Sequence, residues 1–308
     1  MTAKCNLIID SCSDLPFDLV DREGVQLVYF PYIVDSQERS DDFFQSTTAH
    51  DFYQSMRDGA TPSTAQLSMQ TLEQAFADAL TTGVPTVYLS FSSGLSGSFD
   101  AASLVLDRIK AEQPDAPLYV VDTLLGSTPE GLLVAEALRQ RDRGLSAEEL
   151  VAWVSEARYF VHTIFMVEDL ESLHRGGRIP ASVALVGEKL NLKPLLSFDT
   201  NGFLSLIGVA RGRKKGLKQM VEFYVKNHDD AASVRMVAMG NADCADDTGR
   251  LKELLSKNDE SLPVLESSIG PTIGAHVGPG MVSLCFWGTD RRGGLSVPDR
   301  IANKVKSS

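Results

Sequence analysis

Residues 92–98 read Ser-Ser-Gly-Leu-Ser-Gly-Ser, four serines and two glycines in seven positions. They follow a short apolar run at 86–90 and precede a stretch with Phe99, Ala102, Leu106 and Ile109 on one helical face. That context is a strand end, a turn and a helix start. A helix N-terminus offers unpaired N–H groups and a partial positive charge. Glycines let a ligand approach the backbone, and serine hydroxyls add donors. The combination suits a carboxylate or a phosphate, with Ser92, Ser93 and Gly94 as candidate ligands. Helix capping by Ser96 or Ser98 accounts for one serine and leaves the others unexplained.

Three further stretches bear on the same site. Pro62-Ser63-Thr64-Ala65-Gln66-Leu67-Ser68 precedes a helix; Thr64 or Ser68 caps it, which frees the other polar groups to face a ligand. Asp10-Ser11-Cys12-Ser13-Asp14-Leu15-Pro16 follows the first strand. Ser13 or Asp14 with Pro16 marks a helix start there, close to where crevice sites form in open α/β sheets. Residues 270–280 carry four glycines and two prolines around His276, so the ring is as able to reach a ligand as to serve structure. A competing chemistry is ester hydrolysis, with Ser93 or Ser96 as nucleophile and His276 as base. Gly-Leu-Ser-Gly is not a G-x-S-x-G elbow, and nothing in the sequence joins these residues into a triad.

The net charge of −12 excludes nucleic acid as the main partner, because phosphate neutralisation needs clustered cations. The distribution is uneven. Residues 171–218 hold nine Lys or Arg against three acids, a local excess of six positive charges on a background of −18. Arg175 and Arg178 close a helix at glycines 176 and 177, where cations are favourable. Arg211, Arg213, Lys214 and Lys215 open a helix, where the dipole opposes them, and that mismatch points to an external anion.

Around these motifs, short apolar runs alternate with helical patterns. Strands are predicted at 6–9, 86–90 and 118–121, and an extended segment at 25–34. Helices are predicted near 17–23, 50–57, 69–80, 98–111, 130–141 and 147–157. This predicts a largely parallel sheet with helices on its faces. The second half has strands at 162–167, 233–239, 264–267 and 281–287, and helices at 181–190, 214–226, 246–255 and 273–276. Segments 194–198 and 203–209 flank Asn201-Gly202, a hairpin signal. The fold class is α/β, as two α/β domains spanning 1–163 and 164–308, with the ligand site between them.

Other classes are excluded. No apolar run approaches the ~18–20 residues that span a bilayer, and the first ten residues read as a strand, so a cytoplasmic location is inferred. The four cysteines form no C-x-x-C pair and the five histidines no metal-ligand spacing, so neither a redox pair nor a metal is expected; Cys5 and Cys285 read as core residues. With no P-loop, no dinucleotide fingerprint and no kinase signature, ATP handling is not expected of this chain.

Taken together, D-S-C-S-D-L-P (10–16), P-S-T-A-Q-L-S (62–68), S-S-G-L-S-G-S (92–98), H-R-G-G-R-I (174–179), R-G-R-K-K (211–215) and G-A-H-V-G-P-G (274–280) resemble the DegV-like family, in family order along nearly the whole chain. The resemblance implies a non-catalytic subunit that holds a long-chain fatty acid and needs no cofactor. It implies a separate ATP-binding kinase subunit that converts the acid to an acyl phosphate for phospholipid synthesis, and allows transient contact with a membrane surface. Thr64 and Ser93 would hold the carboxylate with His276 nearby, and Arg175, Arg178, Arg211 and Arg213 would face the kinase or the phosphate. Cys12, Ala65, Leu67, Glu130 and Ser283 depart from the commoner family residues. These departures bear on chain-length preference more than on the carboxylate.

Overall fold

The computed structural model describes residues 3–184, 191–229 and 236–294. The first half carries strands β1 (Asn6–Asp10), β2 (Val25–Val28), β3 (Pro31–Val34), β4 (Gln37–Ser40), β5 (Ser63–Thr64), β6 (Thr86–Ser90) and β7 (Leu118–Asp122). Its helices are α1 (Phe17–Val20), α2 (Ala49–Arg57), α3 (Met69–Thr81), α4 (Ser98–Glu112), α5 (Thr128–Asp142) and α6 (Ala147–Ala157). The second half carries β8 (Val161–Met166), β9 (Leu192–Phe198), β10 (Leu204–Arg211), β11 (Val237–Asn241), β12 (Val264–Ser268) and β13 (Val282–Trp287). With them come α7 (Glu171–Arg175), α8 (Ala181–Ala184), α9 (Arg213–Asn227), α10 (Ala245–Ser256) and α11 (Pro271–Val277).

The sheets stack in layers. Strands β2-β1-β6-β7 form a wholly parallel sheet. Strands β10-β9-β8-β13-β11-β12 form a mixed one, in which β11–β12 is parallel and the other four neighbours run antiparallel. Alternation along β1 sends Ile8 to one core, with Phe76, Tyr88 and Val105, and Leu7 and Ile9 to another, with Leu132, Leu133 and Ala137. The second of these cores also takes Ala238 and Cys285 of the mixed sheet, so α5 lies between the two sheets and touches β8, β11 and β13. Helices α9 and α10 cover the outer face of the mixed sheet through Leu217, Met220, Leu251 and Leu255. Helix α6 starts with a reciprocal cap: the Glu149 N–H donates to the Ser146 hydroxyl, and the Ser146 N–H donates to the Glu149 carboxylate.

Two expectations change, and two fall partly outside the described residues. The stretch at 25–34 is two strands in different sheets: β2 joins β1, while β3 pairs with β4 and β5 in a small antiparallel sheet. Gln37-Glu38-Arg39-Ser40 is exposed throughout and has no apolar alternation to reveal a strand. The helix predicted near 17–23 is a single turn, Phe17–Val20. Of the helix predicted at 181–190, Ala181–Ala184 is helical and 185–190, with Glu188 and Lys189, lie outside the described residues. The strand predicted from 233 begins at Val237, and 233–235 also lie outside the described residues.

The Asn201-Gly202 turn joins β9 to β10 as expected and also reaches the first half. Asp199 accepts hydrogen bonds from the N–H groups of Asn201 (2.8 Å) and Phe203 (3.0 Å), and Ser92 donates to the Gly202 carbonyl (2.9 Å). Gly202 has φ +82°, and a Cβ there would fall 2.1 Å from the Ser92 hydroxyl. Gly202→Ala therefore combines backbone strain with a clash. It should lower unfolding stability by about 1–3 kcal/mol, read as an earlier urea midpoint with an unchanged slope.

Candidate functional site

A cleft between the two halves is the place where four of the sequence motifs converge, those at 62–68, 92–98, 174–179 and 274–280; neither 10–16 nor 211–215 lines it. Its open space, mouth included, is ≈ 690 Å³. Phe30, Phe91 and Leu95 wall it from the first half, and Phe165, Phe198 and Met281 from the second. Polar groups gather on one part of the wall: Thr64, Gln66, Ser96, Arg178 and His276. An apolar channel with a few converging polar groups has the shape and lining that suit an amphiphile.

The sequence left open which of Thr64 and Ser68 caps α3. Ser68 does so, accepting the Thr71 N–H at 3.0 Å. Thr64, held on β5 opposite Tyr32 of β3, turns instead to His276. Its hydroxyl lies 2.8 Å from His276 Nε2. With Nε2 protonated, the ring donates to Thr64 and leaves the threonine O–H free for a ligand oxygen. The ring occupies space that Gly176 leaves clear, since a Cβ there would sit 2.0 Å from Nδ1. Burial, then the positive charges of Arg178 and Arg175, push the His276 pKa down to about 4. The imidazole is neutral at pH 7 and serves as a hydrogen-bonding group without charge.

Positive charge comes from Arg178. Its Nε donates to the Leu95 carbonyl at 3.1 Å and its Nη1 to the Gly176 carbonyl, so it bridges the serine loop and the α7 loop at the cleft wall. Arg175 is more exposed and pairs with Glu171 at 3.6 Å. Arg211 is exposed. Arg213 is engaged within the chain: Nε donates to Asp247 (2.7 Å), Nη1 to Glu168 (3.0 Å) and Nη2 to the Gly280 carbonyl (2.7 Å). Asp247 and Glu168 thus offset the charge that the helix start disfavours, an offset the sequence reading sought outside the chain.

The serine loop is largely occupied in holding itself together. Ser92 receives the Gly94 N–H at 3.2 Å while it donates to Gly202. A Cβ on Gly94 would meet the Gly202 carbonyl at 2.6 Å. Ser98 receives the Leu67 N–H at 3.0 Å, and Ser96 lies 3.0 Å from the Ser98 hydroxyl. The Ser93 N–H donates to Asp122 at 3.2 Å. Among the described residues Thr64, and neither Ser93 nor Ser96, is the hydroxyl within reach of His276.

Sequence reasoning missed a group of buried carboxyls beside the cleft: Asp10, Asp14, Asp41 and Glu130. Asp14 does not start a helix by capping. It sits in a left-handed conformation (φ 49°) and accepts the Gly270 N–H at 2.8 Å and the Ser127 O–H at 2.5 Å. Asp41 accepts the Thr272 N–H at 2.9 Å, and its other oxygen has no partner among the described residues. Asp10 accepts from the Phe91 N–H (2.9 Å), the Tyr88 hydroxyl (3.0 Å) and the Cys12 N–H (3.1 Å). Both Glu130 oxygens lack a partner among the described residues. Burial raises Asp10 to about 7 and Asp41 to about 6, and Asp14 and Glu130 well above the usual carboxyl range. Asp10, at the end of β1, and Asp14, just past it, were the legible pair, whereas Asp41 sits in a polar run with no pattern.

A family model described as an uncharacterised protein of the DegV family matches residues 4–288. A DegV domain-containing protein of Clostridium perfringens is 31% identical over 288 residues, covering 92% of this chain and 98% of its own length. Among solved structures, a DegV family protein from Thermus thermophilus, reported for fatty acid binding, is 28% identical with a TM-score of 0.77. The match covers 93% of this chain and 100% of that one. The Streptococcus pneumoniae fatty acid kinase B3 protein, loaded with linoleic acid, shares the fold at a TM-score of 0.79 and 21% identity, over 93% of this chain and 100% of that one.

The raised Asp41 carboxyl carries a stability consequence. A carboxyl whose pKa rises on folding favours the folded state while it is protonated. That contribution is complete below the unfolded value near 4 and is lost as pH rises through about 6. Asp41→Asn cannot titrate. Between pH 4 and pH 8 its unfolding free energy should therefore gain on that of the wild type by on the order of 3 kcal/mol. The difference should flatten above pH 7, as measured by urea denaturation of both proteins across that range.

Proposed function

The chain belongs to the DegV family, and from that membership we propose that it binds one long-chain fatty acid, its tail in the cleft and its carboxylate at Thr64, Ser93 and His276. The observation that carries this reading is the Thr64–His276 hydrogen bond at the polar part of an otherwise apolar cleft. Burying a methylene contributes ~0.8 kcal/mol, so a tail of about fifteen gives on the order of 12 kcal/mol before the costs of association. A carboxylate taken out of water needs donors and a compensating charge. The Thr64 hydroxyl on the cleft wall would supply the first, joined by Ser93 from the adjoining serine loop, which does not itself line the cleft, and Arg178 would supply the second.

The reading extends to a partner. A separate ATP-binding subunit would transfer the γ-phosphoryl group to the bound acid: a carboxylate oxygen attacks the γ-phosphorus, the bond to the β–γ bridging oxygen breaks, and ADP leaves. Arg175, at the end of α7, and Arg211, with Lys214, Lys215 and Lys218 following it in sequence, suit the approach of an acidic surface or of the phosphate itself. This role makes the chain the substrate-holding member of the pair and leaves the phosphoryl chemistry to the other.

Mass spectrometry of the organic extract of purified protein should find a long-chain fatty acid at near one-to-one stoichiometry. A lipid-free extract, with no uptake of added oleate, removes the proposal. Thr64→Ala and Ser93→Ala should each weaken binding by about 1–3 kcal/mol, through loss of a donor to a buried oxygen. With the kinase subunit present, Arg175→Ala and Arg211→Ala should keep oleate affinity and slow acyl-phosphate formation, and added salt should do the same to the wild type. Equal turnover in these variants and at high salt would remove the basic residues from the partner contact.

A further inference from the structure

Helix α11 carries His276 but has seven residues, too few to fix its own place by helix formation alone. Its N-cap is Gly270, which has no side chain to offer its first N–H groups. Those donors are taken by carboxylates from the first half of the chain. The Gly270 N–H donates to Asp14 and the Thr272 N–H to Asp41, at 2.8 and 2.9 Å. The fit is close: a Cβ on Gly270 would lie 2.7 Å from Asp14 Oδ1 and 3.0 Å from both Asp41 oxygens. His276 is four residues, about one turn, beyond Thr272 on the same short helix.

Both carboxylates are themselves held. Asp14 is fixed by its left-handed backbone and by the Ser127 hydroxyl, which starts α5. Asp41 precedes two bulky residues with positive φ, Phe43 (58°) and Phe44 (59°). That backbone is costly for aromatic side chains and persists where the surroundings enforce it. Here ring contacts do so: Phe43 lies against Phe17 and Tyr29, each at 6.3 Å between centroids, and Phe44 against Phe52 at 6.5 Å. Phe52 and Tyr53 flank α11 at Gly274, and the Tyr53 hydroxyl donates to the Ile269 carbonyl at 2.7 Å.

We propose that Asp14 and Asp41 are positioning residues for the ligand head group: by holding the N-terminus of α11 they place His276 Nε2 within hydrogen-bond reach of Thr64. The idea rests on the reading of Thr64 and His276 as the head-group site. Its reach is longer than that site, because Asp14 joins the start of α5 to the start of α11, and both line the cleft.

The test uses the full chain at pH 7.5. Oleate affinity, thermal unfolding and the ¹⁵N signals of the His276 imidazole in the ligand-free protein are measured for Asp41→Ala, Asp41→Asn and Thr64→Ala. Asp41→Ala removes the acceptor for Thr272. It should weaken oleate binding about tenfold and move the His276 signals while unfolding stays cooperative. Asp41→Asn keeps an oxygen for that N–H and should return affinity to within about threefold of wild type, with the His276 signals restored. Asp41→Ser, too short to reach Thr272, takes the place of Asp41→Ala if the latter does not fold. Unmoved His276 signals in Asp41→Ala, or an equal loss in the alanine and asparagine variants, overturns the proposal. Thr64→Ala separates the two ideas. Wild-type affinity there defeats the head-group reading, whereas a loss there with none in Asp41→Ala defeats only the positioning role, and the ligand-free His276 signals judge positioning in either case.

Discussion

Buried carboxylates that receive backbone N–H groups are the constraint on which the cleft depends. A carboxyl withdrawn from water is unfavourable unless it is hydrogen-bonded or protonated, and this fold uses both remedies at the carboxyl end of its parallel sheet. Asp10 secures the Phe91 N–H at the root of the serine loop. Asp122, at the end of β7, receives the N–H groups of Ser93 (3.2 Å) and Leu124 (2.9 Å). Asp14 and Asp41 take the start of α11. Loops that would otherwise expose unpaired donors around an apolar space are tied down one by one. Burial raises the pKa values of Asp10, Asp14 and Asp41 and the neighbouring acids add to the rise, while the N–H bonds they receive oppose it.

The polar part of the cleft follows from what those ties leave available. His276 lies in the last turn of α11, where the helix dipole presents its negative end. An anion bound there gains nothing from the dipole, so favourable charge has to come from elsewhere. Arg178 is placed to supply it, with its guanidinium anchored on two carbonyls and therefore fixed in direction. Burial keeps His276 deprotonated, and the same charge adds to the effect. Pairing the cation with a neutral ring places positive charge at the cleft wall without the desolvation cost of a charged imidazole.

The parts of the fold legible in the sequence are those with strong periodicity. Strands β1, β6 and β7, helices α3 to α6, and the hairpin at Asn201-Gly202 announce themselves through apolar spacing or turn chemistry. Strand β4 could not, because Gln37-Glu38-Arg39-Ser40 faces solvent on both sides. The serine loop was legible as a special turn, but not the division of labour within it. Ser92 and Ser98 serve neighbouring backbone at Gly202 and Leu67, contacts more than a hundred and about thirty residues away in sequence respectively. Arg213 looked like a charge in need of an external partner because Glu168 and Asp247, which hold it, lie 45 and 34 residues away. Acids such as Asp41 read as solvated in any single sequence, since burial of a carboxyl is a tertiary outcome with no local pattern.

Geometry also separates holding a ligand from hydrolysing one. A serine hydrolase needs its serine against a histidine that is itself oriented, usually by an acid on the other ring nitrogen. His276 meets a threonine at Nε2, and Nδ1 has no partner among the described residues. The Ser96 hydroxyl is turned to Ser98. A buried imidazole held near pKa 4 is a poor acceptor of a proton at neutral pH. The same features suit a cradle. A neutral ring can polarise the Thr64 hydroxyl toward a carboxylate oxygen without forming an ion pair that would quench that oxygen's nucleophilicity. On the proposed reading, such a site would hold the head group by donors that leave its charge available, and the chemistry would fall to the partner that approaches from outside.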